Sequence, residues 1–234
     1  MKKIRVSLVI VITVCLALGF ALSSCSGSKA TGKVDDYVKC SIEALSKGQF
    51  DDEFVSLSGQ SSETIQGNYD QSIKEDALYF CYYTGIIEEL SAVKYMELPA
   101  ETKTRIENLY TSIYNKSKFD VRDPEKEDDG SFSVEVTVNP IDIFSKAKAK
   151  IEAGEYQPYN DFVDKYNTGA IKESDFSSSL ADVMIGLVED SLKGADYKEA
   201  KTFVVKVTQS EDEESLSMDS NDLHEIKSSM IFYP

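Results

Sequence analysis

Four apolar residues separated by single polar ones, Phe132, Val134, Val136 and Val138, leave this chain little freedom in how it folds. Side chains alternate between faces along a strand, so this run has one apolar and one polar face. It must lie on a core with its other face in water. Upstream, Phe119 and Val121 alternate in the same way, and the charged stretch 123–130 reads as the turn between them. The two runs predict an antiparallel hairpin. Asn139 and Pro140 predict its end, because proline cannot donate to a ladder.

Helical spacing surrounds the hairpin. Val34, Tyr37, Val38, Ile42 and Leu45 line one helix face up to Gly48, and Phe50, Phe54 and Leu57 continue the apolar theme in a short acidic piece. Ile65, Tyr69, Ile73, Ala77 and Cys81 recur at every fourth residue after Ser61 and Ser62. Tyr79, Phe80, Tyr82 and Tyr83 crowd the end of that stripe, which predicts burial on more than one side, while Gly67 weakens the helix. A further helix is expected over 86–98. Pro99 then opens one carrying Ile106, Leu109, Tyr110, Ile113 and Tyr114.

After the hairpin the order recurs. Helices are expected over 141–153, around Tyr159, Phe162, Val163 and Tyr166, and from Phe176 to Val188 before Gly194. Phe203, Val205 and Val207 alternate as a strand, 211–214 is an acidic turn, and Leu216 and Met218 suit a partner strand. Asp219 and Ser220 suit the cap of a last helix through Leu223, Ile226 and Met230. The pattern F-x-V-x-V-T occurs at Phe132 and again at Phe203, 71 residues on. A diverged duplication and a chance recurrence of alternating valines both explain it. Helical runs followed by antiparallel hairpins or strands define an α+β fold. The expected units are 34–153 and 154–234, packed as one body.

The N-terminus carries an address. Lys2, Lys3 and Arg5 precede an uncharged run, 6–22, which ends in small residues. That is the form of a secretory signal. Leu22-Ser23-Ser24-Cys25 resembles the lipobox of bacterial lipoproteins. The resemblance implies that residues 1–24 are a signal peptide cut before Cys25, and that Cys25 receives a diacylglyceryl group and, with palmitate or a similar acyl chain, holds the protein on the cell membrane at its extracytoplasmic face. Two acyl chains anchor stably where one does not. Residues 25–33 are then the lipidated cysteine and a small, polar tether, SGSKATGK, whose eight residues span roughly 15 Å as a coil. The body, with V-T-V-N-P-I over 136–141, resembles a Gram-positive lipoprotein family catalogued only as a domain of unknown function. That likeness implies no activity and no site residues.

Charge narrows the partners. Without Lys2, Lys3 and Arg5 the chain has 22 basic against 41 acidic residues, a formal charge of −19. Such a surface repels nucleic acid and anionic lipid headgroups. The body is therefore not expected to lie on the membrane by charge; the expected partners are the membrane, through the lipid that the resemblance implies on Cys25, and a protein or a small ligand.

Several stretches mimic sites and fail on chemistry. Residues 27–33 nearly match a phosphate-binding loop, but Val34 stands where a Ser or Thr must hold magnesium. Glu125, Glu127, Asp129 and Gly130 resemble the start of a calcium loop, but its twelfth position is Val136 instead of a bidentate Glu. The single histidine, His224, has no second histidine four residues on and no G-x-S-x-G elbow to serve. No cofactor or metal is therefore expected. Cys40 and Cys81 could form a disulfide outside the membrane; two buried thiols acting as small hydrophobes are favoured, since a chain this long needs no bridge. Tyr79, Tyr82 and Tyr83 suit a ligand groove or, more commonly, a core. The expected function is a non-enzymatic, membrane-anchored binding module. A surface hydrolase with a carboxylate pair and a solute-binding lipoprotein of a transporter are the alternatives.

Overall fold

The computed structural model describes residues 33–211 and 214–234. The expected signal peptide, the expected lipidation at Cys25, the expected tether before Lys33 and the middle of the expected acidic turn 211–214 lie outside the described residues. Among these, no helix is long and apolar enough to cross a membrane.

The first helix, α1 (Val34–Lys47), buries Val34, Tyr37, Val38, Ile42 and Leu45, the predicted stripe. It stops at Gly48, whose φ of 66° favours glycine and whose N–H satisfies the Ala44 carbonyl. A Cβ there would meet the Tyr69 ring at 3.0 Å, so close packing adds to the preference for glycine. The short α2 (Asp52–Ser58) is capped by Asp51, and the long α3 (Ser62–Tyr83) by Ser61. The helix expected over 86–98 is largely absent. Gly85 turns left-handed at φ 76°, Ile87 N–H bonds back to the Cys81 carbonyl, and only α4 (Ala92–Glu97) forms, capped by Ser91. Ile86 and Ile87 are buried nonetheless, as core residues of a turn. Next, α5 (Ala100–Tyr114) follows Pro99 and buries its whole predicted stripe.

The hairpin forms as expected. β1 (Lys118–Val121) pairs antiparallel with β3 (Phe132–Asn139), placing Phe119 opposite Val138 and Val121 opposite Val136. Within its turn, β2 (Glu125–Lys126) pairs with the start of β3. Along β3 buried and half-buried residues alternate strictly. As expected, Pro140 ends the β3 ladder: the strand stops at Asn139. Pro140 has lost a donor, but its carbonyl still accepts from Lys198 N–H at 2.8 Å. Pairing resumes between β4 (Ile141–Asp142) and β5 (Asp196–Tyr197). Between Val138–Lys201 and Ile141–Tyr197 the register shifts by one residue, and β4 and β5 form a two-stranded sheet of their own.

Between those strands lie α6 (Phe144–Glu152), α7 (Gln157–Asn167) and α8 (Phe176–Lys193). The chain closes with β6 (Lys201–Gln209), β7 (Leu216–Met218) and α9 (Ser220–Ser229), the last capped by Asp219. The main sheet has the order β1-β3-β6-β7, every pairing antiparallel.

The two F-x-V-x-V-T strands are therefore neighbours at the sheet centre. Phe132 faces Val207, Val134 faces Val205, and Val136 faces Phe203, a register symmetric about the Val134–Val205 pair. The likeness stops at the strands: β3 is the second strand of its hairpin, whereas β6 is the first of its own. α1 and α9 pack on the inner face, with α3 and α5 behind them and α8 against α5. One apolar cluster runs through residues on both sides of position 153. The sheet's other face is wet and carries Ser133, Glu135, Thr137, Thr202 and Lys206, with Val204 65 % exposed among them.

Candidate functional site

A groove of about 490 Å³ runs between α1 and β1. Its helical wall is Asp35, Lys39, Glu43 and Lys47, spaced by four, with Asp36 beside them. These residues come one position after the buried Val34, Val38 and Ile42, about 100° round the helix from the line that enters the core. Core burial of α1 thus aims a row of alternating charge along the groove. The other wall is Ser117 and the whole of β1. Lys47 Nζ lies 3.4 Å from Glu43 and 5.4 Å from the centre of the Phe119 ring, so it joins the two walls. At the end of the groove Lys118 Nζ stands 3.9 Å over the Tyr197 ring, and Tyr197 donates at 2.7 Å to the Lys116 carbonyl. The Ser117 hydroxyl donates to the Tyr114 carbonyl at 2.6 Å. The lining balances four carboxylates, Asp120 among them, against three lysines. Such a surface suits a polar, extended ligand carrying both signs of charge.

The residues singled out in the sequence fall elsewhere. Asp129 pairs with Lys206 at 2.6 Å and accepts from Ser131 N–H at 3.0 Å. Those bonds hold its carboxyl well below the usual range. Its two oxygens are thus engaged by protein, while Glu125 belongs to β2. His224 is exposed on α9, with Nδ1 2.6 Å from the Ser220 carbonyl. Cys40 is half-buried, Cys81 is buried, and both are free thiols. Burial pushes the Cys81 thiol up to about 12, which keeps it protonated. Tyr79 and Tyr83 pack edge-on to Tyr233 at 4.9 and 5.1 Å, and Phe144 stacks on Tyr233 at 4.5 Å. Phe144 is part of the core, Tyr83 and Tyr233 pack against it, and Tyr79 is half-buried beside them; of the three predicted tyrosines Tyr82 alone is exposed.

One cluster was not foreseen. Lys227 of α9 is buried and forms an ion pair with Asp76 of α3. Tyr114 donates to the same Asp76 oxygen at 2.9 Å, and Lys227 Nζ lies 4.8 Å from the centre of the Tyr114 ring. Burial raises the Asp76 carboxyl above its ordinary value, against the pull of Lys227 and Tyr114. Burial likewise lifts Tyr110, Tyr114 and Tyr233 well above a free phenol. This network ties three helices and, through the hydroxyls of Tyr110 and Tyr233, the C-terminal tail together inside the body, and none of its residues lines the groove. A lysine on an amphipathic helix ordinarily reads as surface, so its spacing alone carried no signal.

No protein-family model matches the chain, and no curated protein matches it in sequence. The fold is similar to the crystal structure of ycdA, described as a candidate lipoprotein, from Bacillus subtilis. The TM-score is 0.59 at 14 % identity, over 86 % of this chain and 57 % of that one, so this chain spans little more than half the neighbour's length. At that identity the likeness establishes the α+β fold and nothing finer.

Proposed function

We infer that this chain is a lipid-anchored, non-enzymatic interaction module at the extracytoplasmic face of the cell membrane, and that its contact surface is the α1–β1 groove. Leu22-Ser23-Ser24-Cys25 after a basic, apolar leader supports the anchor, as does fold similarity to a candidate lipoprotein. The observation that carries the contact surface is the groove itself. It is open, lined by both signs of charge, and begins at Asp35, beside the residue where the tether enters the body. A tether of this length keeps that opening within a few tens of ångströms of the bilayer, roughly 30 Å at full stretch. The antiparallel sheet and the grouping of helices on one face differ from the alternating βα units of two-lobed solute receptors.

The test is a photo-crosslinking amino acid placed in the anchored protein on cells, at Asp36 in the groove and at Asp164 on the exposed side of α7. Discrete adducts at position 36 and none at 164 are expected. Equal labelling at both positions, or none at either, contradicts the reading.

A further inference from the structure

We propose that the groove takes an extended polypeptide segment that adds to β1 as a new edge strand and carries charges of alternating sign at every second residue. This rests on the groove being the contact surface, and it names what occupies it.

The first ground is the edge. β1 pairs with β3 on one side, and among the described residues no strand pairs with the other. Arg122 N–H donates to the Glu135 carbonyl at 2.9 Å. In an antiparallel pair such bonds recur at every second residue. The backbone groups of Lys118 and Asp120 therefore point to β3, and those of Phe119 and Val121 point into the groove. Two donors and two acceptors stand ready for a strand laid alongside. The opposite edge of the sheet is treated differently, since α2 packs beside β7.

The second ground is the match of two repeats. Four residues of helix advance about 6 Å, so Asp35, Lys39, Glu43 and Lys47 place alternating charges at that interval. Same-face residues of a strand recur at about 6.7 Å. Over the three steps of the wall the mismatch is roughly 2 Å, which flexible lysine and glutamate side chains absorb. A strand in the groove thus meets minus and plus at Asp35 and Lys39 and, on opening the Glu43–Lys47 pair, minus and plus again, while its backbone meets Phe119 and Val121. The wall is about 18 Å long, the reach of five or six extended residues. A short strand with outward charges is also how sheets blunt an open edge against aggregation. Here the open edge forms one wall of a groove whose other wall is charged to match a strand.

The probe is a fluorescein-labelled nine-residue peptide of alternating charged and threonine residues, the charges alternating lysine and glutamate. Binding is read by fluorescence anisotropy with the full chain in detergent. A second peptide has its lysines and glutamates grouped in blocks. A third is N-methylated at every second amide, which removes its ladder donors. Val121→Pro in the protein removes a donor that faces the groove while sparing the bonds to β3, and circular dichroism checks that it folds. The alternating peptide is expected to bind. The blocked peptide, the methylated peptide and the Val121→Pro protein should each weaken binding at least tenfold. Binding indifferent to methylation and to Val121→Pro would overturn strand addition in favour of loose charge pairing. Binding indifferent to charge order would overturn the α1 match. If no peptide binds while crosslinks at position 36 persist, the occupant is wrong and the contact surface stands; if those crosslinks are also missing, both fail. Self-association of the chain abolished by Val121→Pro, without peptide binding, would make a second copy the occupant and overturn the proposal.

Discussion

Lys227 and Asp76 show what a single pair of residues can decide. Taking both charges out of water costs several kcal/mol per ion, and their attraction repays that only with good geometry and further hydrogen bonds. The raised Asp76 carboxyl indicates that desolvation outweighs the attraction of Lys227 and the bond from Tyr114. The pair then adds little net stability, yet breaking it leaves one charge stranded. Asp76→Asn, which strands a lysine only 6 % exposed, should cost about 3 kcal/mol. The double variant Asp76→Leu with Lys227→Met should recover most of that loss. Urea unfolding of the wild type, the single variants Asp76→Leu and Lys227→Met, and their double closes the cycle, and additive losses would show that the two residues do not act as a pair. None of this was legible beforehand. Asp76 and Lys227 sit 151 positions apart on helices whose apolar stripes gave no sign that a charge lay beneath them.

Among elements, β3 was the most legible and the region after α3 the least. Period-two alternation specifies a strand and its buried face together, so Phe132, Val134, Val136 and Val138 are all core. Val136→Asp puts a carboxylate at a fully buried position and should unfold or aggregate the protein. Glu135 lies on the wet face, paired with Arg122 at 2.8 Å. Exposed pairs contribute at most about 1 kcal/mol, so Glu135→Lys should lower the thermal midpoint by only a few degrees. Equal tolerance at the two positions in a thermal melt would contradict the assignment. The stretch 86–98 misled because Ile86, Ile87 and Leu98 are apolar and buried like helix residues, while Gly85, which breaks the helix, precedes them. Half of the groove was visible too: the charges of α1 at every fourth residue stand in the sequence. The other half required the position of β1 at the sheet edge, which long-range pairing with β3 and β6 determines.

At the scale of the whole molecule, the sheet joins what the sequence offers as two units. β3 and β6, drawn from either half, form the central pair, and the last residues close on the first half where Ile141 N–H bonds to Met230 and Phe232 N–H to Ile141. A body built this way presents its groove beside the N-terminal end of α1, and the proposed anchoring depends on what happens at Cys25. The most direct measurement is metabolic labelling with palmitate of cells producing the full chain or its Cys25→Ser variant. Label on the full chain is expected, and for Cys25→Ser an unlabelled precursor that keeps residues 1–24. Label that persists in the variant, or is absent from both, would contradict it.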